Sequence, residues 1–389
     1  MLTREESADR IARLQHKLIE QQMDGALLIF PIDLYYFSGA LQNAVLWVPA
    51  QGQPLLLVRK SLARAREECL FAEVLPFPPS KEFASVLPTS AHKIGLTFDV
   101  LPVAQYNFFA KLLPGREFVD LSGLNRELRS VKSPWELERM RYSGAKLCEV
   151  FAQVPEILQP GMREIDLAAE FEARLRKAGG EGYVRMRAFN QEFFMGLAVA
   201  GGSACAPGFF DGPVTGRGLS SAFPQGASAQ RIEKNCPVLI DYTGVFEGYI
   251  VDMTRMFVIG TLDSQLQQAF DLARAIQDQL AENLRPGAVC AELFAQAFAL
   301  AEQAGLARHF MGSPGENARF VGHGVGLELD EFPVLAQGFN MPLKIGQTIA
   351  IEPKFVFPGL GAIGIENTWA VTEKGGEKLT NMPDALVHL

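Results

Sequence analysis

Residues 238–260 read VLIDYTGVFEGYIVDMTRMFVIG, and residues 349–371 read IAIEPKFVFPGLGAIGIENTWAV. Each segment is rich in Val, Ile, Phe and Tyr around a glycine-containing turn, the pattern of a β-hairpin. With the first turn at Phe246–Gly248, Asp241 is expected opposite Asp252. With the second at Pro358–Gly361, Glu352 is expected opposite Glu366. Residues opposed across a hairpin share one face, with Cβ atoms about 4.5–5.5 Å apart. Apolar neighbours flank all of these carboxylates, so the shared face is expected to be buried. Like charges directly opposed destabilise a strand pair, and a buried charge needs a partner. Two such conflicts in one chain point to cations held between the carboxylates.

A metal site of this kind lacks only a nitrogen ligand. Of the histidines, His16 falls on the first helix, His92 in a loop, His309 after a helix end and His388 at the terminus. His323 stands between two glycines in RFVGHGVGLELDEFP (319–333), a strand-like segment that lies between the two hairpins in chain order. Glycines in such a segment allow close approach of backbone or ligand. Four carboxylates and one imidazole suit two divalent ions better than one. The oxygen-rich donors favour Mn, Fe or Co over the thiolate pattern of structural zinc. Two ions about 3.5–4 Å apart can share a hydroxide and polarise a carbonyl, which is hydrolytic chemistry on an amide-like bond.

Composition bounds the rest. The 389 residues, 48% hydrophobic and 21% charged, describe a soluble globular chain of two domains. A net charge of −8 leaves no electrostatic footprint for nucleic acid. No run of about 18 apolar residues offers a membrane span. The start, MLTREESADRIARL, is charged and helical, without a signal-peptide core. Cys69, Cys148, Cys205, Cys236 and Cys290 show no CxxC spacing, which reads as reduced thiols in a cytoplasm.

Along the chain, Thr3 and Glu6 open a helix, and short strands follow at 26–30, 44–48, 54–58, 93–98 and 118–121. This is an α/β N-terminal domain, residues 1–130. At VKSPWELERM, Ser133, Pro134 and Glu136 form a helix start, and a second, α+β domain is expected over 131–389. Within it Leu158-Gln159-Pro160-Gly161 recurs as Leu284-Arg285-Pro286-Gly287. The same offset aligns Leu167, Ala169, Ala173, Ala178 and Gly179 with Leu293, Ala295, Ala299, Ala304 and Gly305. A duplicated helix–helix–sheet unit with pseudo-twofold symmetry would bring all four carboxylates together. The Gly/Pro/Ser-rich stretch 201–228 reads as a loop at a pocket mouth, with Phe223 a candidate substrate contact. Arg185 and Arg187, two apart in YVRMRAFNQEFF (183–194), share a face if the segment is a strand. That face either lines the pocket, with Arg187 contacting substrate, or forms a solvent-facing edge. Gly359, Gly361 and Gly364 spell GxGxxG, but a strand follows rather than a helix, so this is a hairpin turn and not a dinucleotide fingerprint.

The order Asp241, Asp252, then GHGVG, IEP and IENT resembles the metallopeptidase family of methionine aminopeptidase, aminopeptidase P and prolidase, the pita-bread fold. IDLYYFSG (32–39) and LRSVKSPWELERMR (128–141) resemble the N-terminal domain and domain junction of its creatinase/prolidase branch. The resemblance spans nearly the whole chain. It implies that Asp241 chelates one ion, His323 and Glu352 bind the other, and Asp252 and Glu366 bridge. Glu352 also handles the proton of the attacking water. The implied cofactor is two divalent ions drawn from Mn, Co, Fe or Zn, and the implied assembly is a homodimer.

Three positions depart from the family pattern. The stretch SAFPQGAS before the first aspartate lacks the family's histidine, Asp330 stands where a second histidine is usual, and Gly364 replaces an arginine. Asp330 either accepts a cationic group of substrate or caps a loop. The leading function is cleavage of Xaa-Pro peptides. The alternative is a small-molecule C–N hydrolase of the creatinase or ectoine-hydrolase kind, and a third reading is a non-catalytic binding module.

Overall fold

The structure, a computed structural model, describes residues 2–69, 72–187 and 195–389. Its contacts divide the chain into two compact units. One runs up to Arg129 and includes Arg187; the other is built from Ser130–Met186 and from Met195 to Leu389.

The first unit is a six-stranded mixed sheet flanked by helices. Its strands are β1 Gly25–Leu28, β2 Ala44–Pro49, β3 Leu55–Val58, β4 Glu73–Pro76, β5 Lys93–Leu96 and β6 Glu117–Asp120, in the order β4-β3-β2-β1-β5-β6. The strands β1 to β3 pair antiparallel, and β4, β5 and β6 join in parallel. Five of the six match segments expected from the sequence. β4 does not: it is an edge strand with no buried residue, so it lacks the apolar alternation that marks a strand. Helix Arg4–Glu20 starts where Thr3 accepts a hydrogen bond from the Glu6 amide, and it buries Ile11, Leu14 and Leu18.

The second unit carries the duplication. Helix Pro134–Phe151 begins on the Ser133/Glu136 capping box, and Pro155 sits in a separate short turn, Val154–Ile157. Helix Glu164–Lys177 follows, and in the second half helices Ser264–Glu282 and Cys290–Gln303 take the same places. Glu164–Lys177 and Cys290–Gln303 have equal length and lie at the offset of the sequence repeat. Even the isolated bridge ahead of each recurs, Arg163 to Arg231 and Val289 to Pro342.

Each half supplies a sheet. The first comprises β7 Gly196–Ala200, β8 Pro237–Phe246, β9 Tyr249–Val258 and β17 Val387–His388, in the order β17-β9-β8-β7. The second comprises β10 Phe320–Gly324, β11 Glu331–Ala336, β12 Thr348–Ile351, β15 Asn367–Thr372 and β16 Gly375–Lys378, in the order β11-β10-β12-β15-β16. A separate hairpin, β13 Lys354–Phe357 with β14 Gly361–Gly364, projects from the line of β12 and β15. An apolar cluster fills the space between helices and sheets, with Leu293, Ala297, Phe270 and Ile276 against Ile349, Phe355 and Ile363.

The hairpin registers refine the expectation. In β8–β9 the turn is two residues, Glu247 at φ 50° and Gly248 at φ 83°. This pairs Phe246 with Tyr249, Asp241 with Thr254 and Thr243 with Asp252. Asp241 and Asp252 are therefore diagonal neighbours on one face, not directly opposed. In the second hairpin Lys354 pairs with Gly364 and Ile351 with Asn367, so Glu352 and Glu366 do stand across from one another, in the break between the two ladders.

Candidate metal centre

Five candidate ligands reach one place because the two halves meet edge to edge. Thr254 of β9 forms a bridge with Glu366, with backbone bonds of 3.3 and 3.4 Å in both directions. One step along, the Thr368 hydroxyl accepts from the Asp252 amide at 2.8 Å and donates to the Asp252 carbonyl at 3.0 Å. Beneath the seam the buried Arg255 guanidinium donates to the Thr254 and Glu366 carbonyls at 2.8 and 2.9 Å. The backbone at both acidic residues is thus held by hydrogen bonds independent of their carboxylates.

The carboxylates and the imidazole then converge from five strands or strand ends: β8, β9, β10, the end of β12 and the start of β15. Asp252, His323 and Glu366 bring ligand atoms within 4.8 Å of one another, the spacing of a shared ion. His323 Nδ1 lies 3.0 Å from the Leu329 carbonyl, 3.3 Å from that of Gly324 and 3.2 Å from Asp330 Oδ1. All three are acceptors, so Nδ1 carries a proton, and in the neutral ring Nε2 presents its lone pair. That lone pair faces Glu352 Oε1 at 3.6 Å and Glu366 Oε1 at 3.9 Å. Both distances are too long for hydrogen bonds. Three electron-rich atoms thus surround a gap that suits a cation.

Lys354 enters this cluster from β13. Its Nζ donates to Asp241 Oδ2 at 2.8 Å, Glu352 Oε2 at 2.8 Å and Glu366 Oε2 at 2.9 Å, and its side chain is 2% exposed. Burial works to neutralise it, but Asp241, Glu352 and Glu366 outweigh that and hold its pKa well above the ordinary lysine value. Asp252 is pushed well above the carboxylate range, by burial first and then by Glu366 and Asp241. Asp241 and Glu366 are also raised by burial, with Lys354 pulling the other way. For His323, burial opposes protonation, yet Asp330, Glu352 and Glu366 together raise its pKa. These directions reflect burial first and, beyond it, a surplus of negative charge around one ammonium. The residues fit a divalent ion at Asp252, His323 and Glu366.

These residues form the floor of a cavity in the second unit. Its walls carry Met195, Phe210, Pro213, Val214, Phe320 and Leu329, with Asp330 and Gln225 as polar members. The stretch 201–228 therefore does shape the cavity, through residues 210–215 and Gln225. Phe223 does not line it; Phe223 is half-buried and its backbone bridges Ser220. Phe210 of the same stretch lines the cavity instead, since irregular backbone carries no periodicity to show which ring turns inward. Arg187 is placed elsewhere too. It lies in no strand, its side chain is 2% exposed, and it donates to Asp33 at 3.1 Å and to Asp99 at 2.7 and 3.0 Å within the first unit. Neither a pocket-lining face nor a solvent edge describes it. The rest of YVRMRAFNQEFF, residues 188–194, lies outside the described residues. Asp330 holds a place on the cavity wall and also lies beside His323 Nδ1, so it orients that imidazole besides facing the cavity.

Residues 138–373 match the model of metallopeptidase family M24, and residues 10–131 match that of the creatinase/prolidase N-terminal domain. The chain belongs to metallopeptidase family M24. Among its relatives, the Xaa-Pro dipeptidase of Pyrococcus furiosus is 27% identical over 381 residues, 96% of this chain and 97% of that protein. Among solved structures, the Xaa-Pro dipeptidase from Bacillus anthracis superposes with a TM-score of 0.84 at 23% identity, covering 98% of this chain and all of that one. The prolidase from Pyrococcus horikoshii OT3 gives 0.82 at 23% identity, over 97% and 100%. The creatinase-like N-terminal domain and duplicated pita-bread domain read from the sequence are thus borne out. No helix among the described residues of this M24 enzyme is long and apolar enough to cross a membrane.

Two variants separate the roles in this geometry. Asp330→Asn removes the carboxylate that supports His323 and is expected to weaken Mn²⁺ affinity by about 10–100-fold, read by calorimetric titration; an unchanged affinity would show that Asp330 serves substrate only. Arg187→Met leaves Asp33 and Asp99 short of a partner and is expected to cost about 3–5 kcal/mol of stability, read by urea denaturation. A fully stable Arg187→Met protein with a raised KM would instead restore Arg187 as a substrate contact.

Proposed function

We propose that this M24 enzyme hydrolyses the bond before proline in short peptides, as a prolidase-like metallopeptidase. The observation that carries the reading is the convergence of Asp252, His323 and Glu366 on one gap, with Glu352 beside it, at the floor of an apolar-walled cavity. The near full-length likeness to Xaa-Pro dipeptidases supports the substrate class. A divalent ion held by Asp252, His323 and Glu366 would supply Lewis acidity toward an amide carbonyl and lower the pKa of water. One imidazole among carboxylates suits Mn, Fe or Co, with Zn the remaining candidate. The two-ion centre implied by the family resemblance needs a second cation beside Asp241, and the Lys354 ammonium stands there.

The chain's own groups divide the remaining work. Glu352, at the edge of the gap, receives the proton of the attacking water and returns it to the leaving nitrogen. His323, fixed through Nδ1, would present Nε2 to a bound ion. The side chains of Phe210, Phe320, Val214 and Leu329 give an apolar seat for a pyrrolidine ring and exclude water. Asp330 offers a carboxylate to the substrate's ammonium group. A C–N hydrolase acting on a small molecule is the second reading. It is favoured by one observation: among the described residues, His323 is the only histidine that lines the cavity. We place the domains at 1–130 and 131–389 and propose a cytoplasmic homodimer, tested by light scattering on the purified protein.

Mn²⁺-loaded protein is expected to cleave Xaa-Pro dipeptides, and Glu352→Gln to lower kcat by about 10²–10⁴-fold with metal retained. Inert Xaa-Pro peptides together with turnover of small amides or amidines would transfer the assignment to the second reading.

A further inference from the structure

The carboxylates of the site face two separate poles. Glu352 and Glu366 each turn one oxygen to either side. Their Oε1 atoms face His323 Nε2, at 3.6 and 3.9 Å, on the side where Asp252 completes a metal-spaced set. Their Oε2 atoms face the Lys354 ammonium, at 2.8 and 2.9 Å, where Asp241 Oδ2 is the third partner at 2.8 Å. An ammonium has three donors and no acceptor, and these three oxygens take all of them. Glu366 Oε2 also accepts from the Thr254 hydroxyl at 2.8 Å, so both of its lone-pair positions are used. A carboxylate that bridges two ions must offer an oxygen to each. Glu366 has only Oε1 left.

The hairpin is built around this lysine. Lys354 pairs directly with Gly364 across β13–β14. A Cβ at Gly364 would fall 2.6 Å from Lys354 Cγ and 2.8 Å from its Cα. The glycine therefore leaves the space in which the lysine stem lies, and a Cβ there would collide with that stem and with the Pro353 carbonyl. A transition-metal ion sits about 2.0–2.2 Å from its carboxylate oxygens and needs lone pairs that Lys354 already occupies. Ammonium and ion compete for the same three oxygens.

We propose that the Lys354 ammonium takes the place of one of the two cations, so that the chain holds a single divalent ion, at Asp252, His323 and Glu366. The inference deepens the metal-dependent reading above and rests on it. One half of the centre then carries a covalently tethered charge that no chelator removes, and Asp241 serves as a lysine partner instead of a metal ligand. Among the described residues, the group with metal spacing accordingly includes neither Asp241 nor Glu352.

The test is metal stoichiometry, with Mn²⁺ alone as the probe. Chelator-stripped protein is titrated with Mn²⁺, bound metal is counted by elemental analysis, and the electron paramagnetic resonance spectrum reports whether bound ions are exchange-coupled. The expected result is one Mn²⁺ per wild-type chain with an uncoupled spectrum. Lys354→Gly, which frees one oxygen each of Asp241, Glu352 and Glu366, is expected to take up a second ion and show coupling. Two ions per wild-type chain overturn the proposal and leave the peptidase reading standing. No ion in the wild type overturns both. A Lys354→Gly protein with native circular dichroism that still binds one ion also overturns it; should that variant not fold, the wild-type count decides alone.

Discussion

Carboxylates gathered within reach of one another in a protein interior need positive charge between them or must take up protons. Asp241, Asp252, Glu352 and Glu366 are brought to one cavity floor by strands whose apolar residues join the core. In the interior each ion has lost its water, and its neighbours of like sign raise the cost further. The raised pKa values of Asp241, Asp252 and Glu366 express that cost as protonation. Lys354 offsets part of it. The gap bounded by His323 Nε2 and the Oε1 atoms of Glu352 and Glu366 is where a bound ion would offset the rest. The chemistry of the site and its contribution to stability thus follow from the same charge balance.

The duplicated fold makes this arrangement reproducible. Each half contributes a helix pair that packs on a sheet, and each sheet contributes acidic residues at the seam. The seam is fastened by backbone groups: the Thr254–Glu366 bridge, the Thr368 hydroxyl on both backbone groups of Asp252, and Arg255 on two carbonyls. The ligand positions therefore do not depend on the ligands' own charges to stay in place. A centre preorganised in this way loses little entropy when it takes up an ion.

Much of this was legible in the sequence, for identifiable reasons. Strand-forming residues around short turns marked both hairpins, and carboxylates in such runs are rare enough to stand out. The repeat of Leu-Xaa-Pro-Gly at a constant offset exposed the duplication, and equal helices at Glu164–Lys177 and Cys290–Gln303 realise it. The first hairpin's register was misjudged because its tight turn places Glu247, a residue with no preference for positive φ, at 50°. Lys354 went unnoticed although it carried a signal. It lies two residues after Glu352, so the strand period puts both on one face, and a lysine in KFVF contradicts an otherwise apolar run. Phe223 and Arg187 were misplaced because their segments are irregular. The ion pairs of Arg187 with Asp33 and Asp99 join residues far apart in the chain, which no local pattern announces.

The most direct test of the charge balance is a crystal structure of the Mn²⁺-soaked protein with data collected near the manganese absorption edge. The account predicts one anomalous peak, bonded to Asp252, His323 Nε2 and Glu366, with the Lys354 ammonium still among Asp241, Glu352 and Glu366. Two peaks with Lys354 displaced, or no peak at all, would contradict it.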